Sequence, residues 1–99
     1  MNYNIIDHTT LSVEDSSVGL GDATITLTVA AAAGAKGAFI TVEDDSVYCR
    51  TDGDAATNAD TILYKGDNIN MMDGNWLQPL GKLRFLRVTG NATLQIVYF

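Results

Sequence analysis

The chain holds one cysteine, one histidine and one proline, and 12 acidic residues outnumber its 6 basic ones two to one. Each scarcity closes a class of explanation. Cys49 alone forbids an intrachain disulfide. His8 has no second histidine beside it, so a catalytic triad, a metallohydrolase centre or a zinc site of the usual ligand set cannot be assembled. A net charge of -6 works against phosphate backbones and anionic lipid, and neither nucleic acid nor membrane is expected as a partner. No apolar run approaches the roughly 20 residues that span a bilayer. The opening Met1-Asn2-Tyr3-Asn4 lacks the basic-then-apolar layout of a signal peptide, so synthesis in a cytoplasm is expected. Gly19-Leu20-Gly21 and the glycines at 34 and 37 lack the lysine and the following helix of a phosphate loop.

What is present reads as β-structure. With 99 residues there is room for one domain spanning 1–99, and 46% hydrophobic against 18% charged residues should fold it without a metal. Ile25, Leu27 and Val29 alternate with threonines, which predicts a strand over Ala23 to Val29. The Ala30 to Gly37 run is then a connection. Ala38 to Glu43 and Val47 to Thr51 predict a hairpin turned by Asp44-Asp45-Ser46. Short strands follow at Thr61 to Tyr64 and Ile69 to Met72. At the end, Lys82 to Thr89 and Thr93 to Phe99 predict a second hairpin, because Gly90 and Asn91 tolerate positive φ. Apolar groups on both sides of Leu83 to Val88 predict a central strand covered on two faces. Earlier, Asn2 to Ile6 and Leu11 to Val13 are β-prone around a break at Asp7 to Thr10. Short strands set about 8 to 12 residues apart, with no convincing amphipathic helix, indicate an all-β fold, a small antiparallel β-sandwich or barrel.

Few groups invite a chemical reading. Cys49 lies mid-strand on the alternation and reads as a small buried apolar side chain. Asp52, Asp54, Asn58 and Asp60 look like a calcium loop, but their spacing lacks the EF-hand's sixth-position glycine and closing glutamate, so they read as a solvated turn. Glu43-Asp44-Asp45 reads as a hairpin tip, and Asn91-Ala92-Thr93 as turn chemistry. No catalytic, metal or cofactor residues are assigned, and the chain is not expected to be an enzyme. Met71, Met72, Trp76 and Leu77 form the densest large apolar group outside regular strands, either a lid on the core or an interface. They are the candidate interface residues.

Phe39 to Gly53, with Phe-Ile-Thr-Val-Glu and Val-Tyr-Cys-Arg-Thr-Asp-Gly, resembles small tailed-bacteriophage virion proteins. In those chains a strand ending in valine and an acidic residue leads to an aromatic or basic strand and then Arg-Thr-Asp-Gly, a loop rich in threonine and alanine, a Gly-Asp turn and a C-terminal hairpin. The counterparts are Arg50-Thr51-Asp52-Gly53, Ala55-Ala56-Thr57, Lys65-Gly66-Asp67, and Leu83 to Tyr98. The resemblance implies a non-enzymatic capsid decoration or cement protein, a β-sandwich on the capsid surface of the virion. Its implied partners are the major capsid protein or other virion proteins, and its own copies in a homo-oligomer, often a trimer. Residues 1–10 would form an extended arm to a neighbouring subunit. The alternative is a tail- or fibre-associated β-sandwich module that binds carbohydrate or a receptor, with Trp76, Tyr64 and Tyr48 as stacking residues.

Overall fold

The computed structural model describes residues 5–72 and 80–99. Among these residues eight strands form two four-stranded antiparallel sheets. The first sheet has β1 (Asp7–Val13), β8 (Ala92–Tyr98), β3 (Gly37–Glu43) and β6 (Asn68–Met72), in the order β1-β8-β3-β6. The second has β2 (Val18–Gly19), β7 (Arg84–Arg87), β4 (Val47–Arg50) and β5 (Thr61–Leu63), in the order β2-β7-β4-β5. The sheets sandwich one hydrophobic cluster. Leu11, Val13, Ile40, Val42, Leu94 and Ile96 enter it from one side and Val47, Cys49 and Phe85 from the other. This is the all-β sandwich that the turn spacing predicts.

Period-two alternation explains most of the strands. In β8 the inward Ala92, Leu94, Ile96 and Tyr98 are buried, while the outward Thr93, Gln95 and Val97 are half-buried. In β1 the polar run Asp7 to Thr10 is the first half of a strand and not the break expected there, because Thr9, Leu11 and Val13 all turn inward. Asp7 to Thr10 therefore sit in a sheet, paired with Gln95 to Tyr98.

Both predicted hairpins are corrected. β3 and β4 lie in different sheets, and so do β7 and β8, so each turn is an arch that carries the chain across the sandwich. Neither Gly90 nor Asn91 adopts a positive φ, which removes the backbone basis of the tight hairpin turn. The two arches bind each other instead. Gly90 N–H donates to Asp45 Oδ2 at 3.1 Å, Thr93 Oγ1 to Asp44 Oδ2 at 2.7 Å, and Val88 N–H to the Ser46 carbonyl at 3.3 Å. Asp44 holds φ at 69°, the one non-glycine residue with positive φ among those described. β7 does lie inside its sheet, between β2 and β4, but it is covered on one face only. Leu83 and Phe85 are buried, whereas Leu86 and Val88 on the other side are half-exposed.

The predicted strand over Ala23 to Val29 is absent. That segment passes from a 3-10 turn, Leu20–Asp22, through bends into a helix, α1 (Leu27–Ala32). Thr26 caps α1, its Oγ1 accepting from Val29 N–H at 3.2 Å. At the other end Gly34 has φ of 99°, Ala35 N–H donates to the Ala30 carbonyl and Gly34 N–H to that of Ala31. That pair of bonds is the Schellman closure which a left-handed glycine permits. Six residues cannot hold a helix in water by propensity alone, so burial of Leu27 and Ala30 in the core completes the account.

Candidate functional site

Two places on the molecule concentrate chemistry, and both belong to the second sheet. The first is built on Arg50, at the end of β4. Outward orientation leaves its guanidinium over the loop that follows, and three aspartates converge on it. Asp52 engages it in bidentate fashion, with Nε to Oδ1 at 2.6 Å and Nη2 to Oδ2 at 2.8 Å. Asp54 Oδ2 lies 3.5 Å from Nη2, and Asp60 Oδ1 lies 3.8 Å from Nη1. The hydrogen bond from Arg50, helped by the Asp54 amide, pulls the Asp52 carboxyl down to about 2. Arg50 is held above its ordinary value chiefly by Asp52.

The supposed calcium loop is thus folded around a cation that the chain supplies itself. Its backbone is pinned as well. Gly53, with φ of 90°, donates its N–H to the Lys82 carbonyl at 3.0 Å, and Ala56 is buried with its N–H on Ser17 Oγ at 2.9 Å. Among the described residues no group of three or more acidic, histidine or cysteine side chains is arranged to hold a metal. The aspartates offset a local cost, because Arg50 stands directly opposite Arg84 on β7. Like charges in facing positions repel. Arg84 Nη2 bonds the Ser17 carbonyl at 3.1 Å, and its buried Nε has no partner among the described residues.

Beside this cluster a cleft of about 540 Å³ opens between the sheets where β5 and β6 form their edges. Cys49, Leu63, Ile69 and Leu83 give it an apolar floor, and Arg50 and Asp60 stand at its rim. Cys49 is buried, as the alternation indicates. Burial, then the Asp60 charge, pushes its thiol up to about 11, which keeps it protonated at neutral pH and a poor nucleophile. His8 is on the outer face of the other sheet, its Nε2 2.7 Å from Gln95 Oε1. His8 therefore stands apart from Cys49 and the aspartate cluster, which share the cleft.

The second place is the outer face of the second sheet. Register sets Leu86 of β7, Tyr48 of β4 and Ile62 of β5 in one row, all half-exposed. Tyr64, two residues beyond Ile62, is 62% exposed. Outward apolar side chains on three neighbouring strands are not explained by the core, which lies on the opposite side. Tyr48 and Tyr64 stand out in the sequence as stacking candidates, but the row does not, because only strand register brings Leu86 and Ile62 to Tyr48. Of the candidate interface group, Met71 and Met72 belong to β6, opposite Ala38 and Gly37, while Trp76 and Leu77 lie outside the described residues.

Comparison of the chain with known protein families, with curated proteins and with solved structures finds no match in any of the three.

Proposed function

We propose that the chain is a non-enzymatic bacteriophage virion structural protein, a capsid decoration or cement protein that stabilises the head by binding across capsid subunits. The observation that carries this reading is the apolar row Leu86–Tyr48–Ile62 with Tyr64 beside it, a surface suited to lasting contact with another protein. The resemblance of Phe39 to Gly53 and of the later segments to phage virion chains supports the choice of partner. The protonated thiol and the committed aspartates support a role without acid, base or nucleophile chemistry. Proteomics of purified virions is expected to find the chain in fixed ratio to the major capsid protein. A Tyr48→Ser, Tyr64→Ala double variant is expected to lose capsid occupancy by about tenfold or more, the scale of losing one aromatic anchor. Absence of the wild-type chain from particles would overturn the reading.

One observation favours a second reading, a tail- or fibre-associated carbohydrate-binding module. Tyr64 is 62% exposed two residues beyond Ile62, which faces Tyr48, and sugars stack their apolar faces on such rings. Glycan binding that disappears in Tyr64→Ala, together with no capsid affinity, is the result that would select it.

A further inference from the structure

We infer that the free edge of β1 is a self-association site, at which two copies of this chain pair β1 with β1 antiparallel about a twofold axis through Thr10. The inference stands on backbone geometry and does not depend on the virion reading.

The backbone bonds decide which side of β1 is free. Phe99 and Gly37 exchange both of their main-chain bonds, at 3.0 and 3.1 Å. In an antiparallel ladder such pairs recur at every second residue, so Val97, Gln95 and Thr93 also turn their main chain toward β3. Tyr98, Ile96, Leu94 and Ala92 then turn theirs toward β1, where register places Asp7, Thr9, Leu11 and Val13 opposite them. The N–H and C=O groups of His8, Thr10 and Ser12 are left pointing away from the sheet. His8 N–H finds the Asp7 carboxylate, at 2.9 Å, as expected of an amide on that side. The Thr10 and Ser12 amides have no partner among the described residues. On that side Thr10, Leu11 and Ser12 line a cleft of about 400 Å³ together with Val18, Asp22, Thr24 and Thr93.

Edges of this kind are normally blunted by lysine, proline, a bulge or brevity. The edges of the other sheet, β2 and β5, are two and three residues long, and β6 is five. β1 runs for seven, and from His8 to Val13 it has no lysine, no proline and no carboxylate.

The same strand is complementary to itself, which is the argument for a second copy as the occupant. Centred on Thr10, antiparallel pairing puts Thr10 opposite Thr10 of the second copy and His8 opposite its Ser12. All three outward-turned residues of each edge are then used. A shift of register that keeps their groups facing one another leaves one of the three without a counterpart. Thr10 N–H meets the Thr10 carbonyl and Ser12 N–H meets the His8 carbonyl, giving two bonds from each copy. The one charged residue, Asp7, faces Val13 and not its own twin. Inward Thr9 lies beside inward Leu11, so both core faces stay on the same side of one continuous eight-stranded sheet. The contact is isologous and builds dimers, in contrast to the threefold assembly implied by the phage resemblance.

Sedimentation and light scattering of the wild-type chain up to the millimolar range are expected to show a dimer. Thr10→Lys is expected to return it to the monomer mass with unchanged far-UV circular dichroism, since Thr10 is exposed. An equimolar mixture of Thr10→Lys and Thr10→Glu is expected to restore the dimer. Under mild oxidation Thr10→Cys is expected to give a disulfide-linked dimer, because facing residues of a bonded pair sit about 5.5 Å apart at Cα. Ser12→Cys is expected not to, since the two Ser12 positions would lie about 14 Å apart. A monomeric wild-type chain, a dimer that survives Thr10→Lys, or equal cross-linking through position 12 would overturn the inference. So would a monomer whose β1 edge takes up a strand of another protein.

Discussion

Arg50 and Asp52 hold the loop after β4 by charge, so the loop's stability follows the protonation of Asp52. Its carboxyl falls from an ordinary 3.8 to about 2 in the folded chain. A depressed folded value means that the contribution is present in full above about pH 4 and is lost as pH falls toward 2. Both partners are open to solvent, which screens the pair and keeps the effect small. Denaturant midpoints measured from pH 5 to pH 2 are expected to fall less steeply in Arg50→Ala than in the wild type. NMR titration of the same variant is expected to show the Asp52 carboxyl raised from about 2 toward 3.8, because the Arg50 hydrogen bond and charge are gone while the Asp54 amide remains. Equal slopes in the two chains would mean that Arg50 does not hold the loop. Composition marks Asp52 to Asp60 as polar and loop-forming, and that much was legible. The role of Arg50 as the centre of the cluster was not, because it depends on the loop doubling back past Gly53 and Ala56.

Between residues 23 and 37 a helix stands where alternation predicts a strand, and the competing signals are both visible. Ile25, Leu27 and Val29 have the period of a strand, yet Leu27 and Ala30 also fit one face of a helix, and only these two are buried. Thr26 as N-cap and Gly34 as the left-handed closing residue turn the balance. Thr26→Ala is expected to lower stability by about 1 kcal/mol, whereas Thr28→Ala, at an exposed site in the helix, should be neutral or slightly stabilising. Urea melts of the two variants separate the cap from the strand reading, since a strand would be weakened by both changes. Strand runs flanking a short turn are the same in a hairpin and in an arch, and what distinguishes them here is the set of bonds from Asp44, Asp45 and Ser46 to Thr93, Gly90 and Val88.

Across the whole molecule, β1 near the start of the chain and β8 near its end pair over seven residues, so the first sheet closes only when both are present. β1 also buries Leu11 and Val13, each worth about 1.5–3 kcal/mol against a total stability of about 5–15 kcal/mol. Deleting residues through Val13 is expected to abolish the cooperative thermal transition seen by circular dichroism. A deletion variant that still melts sharply would show that the remaining seven strands hold the core without it. Edge and core roles are thus combined in one strand. Its inner face is buried in the core, while its outer edge and the apolar row on the opposite sheet stay uncovered among the described residues.

The all-β class, the burial of Cys49 mid-strand and the polar loop after Arg50 are legible in the sequence alone. These follow from local alternation and turn composition, which act over a few residues. The fold alone settles which strands are neighbours, that the two apparent hairpins are arches, that Leu27 to Ala32 is helical, and that Leu86, Tyr48 and Ile62 form one surface row. Strand partners are chosen by contacts between residues far apart in the chain, and a local pattern says which side of a strand is apolar without saying which sheet receives it.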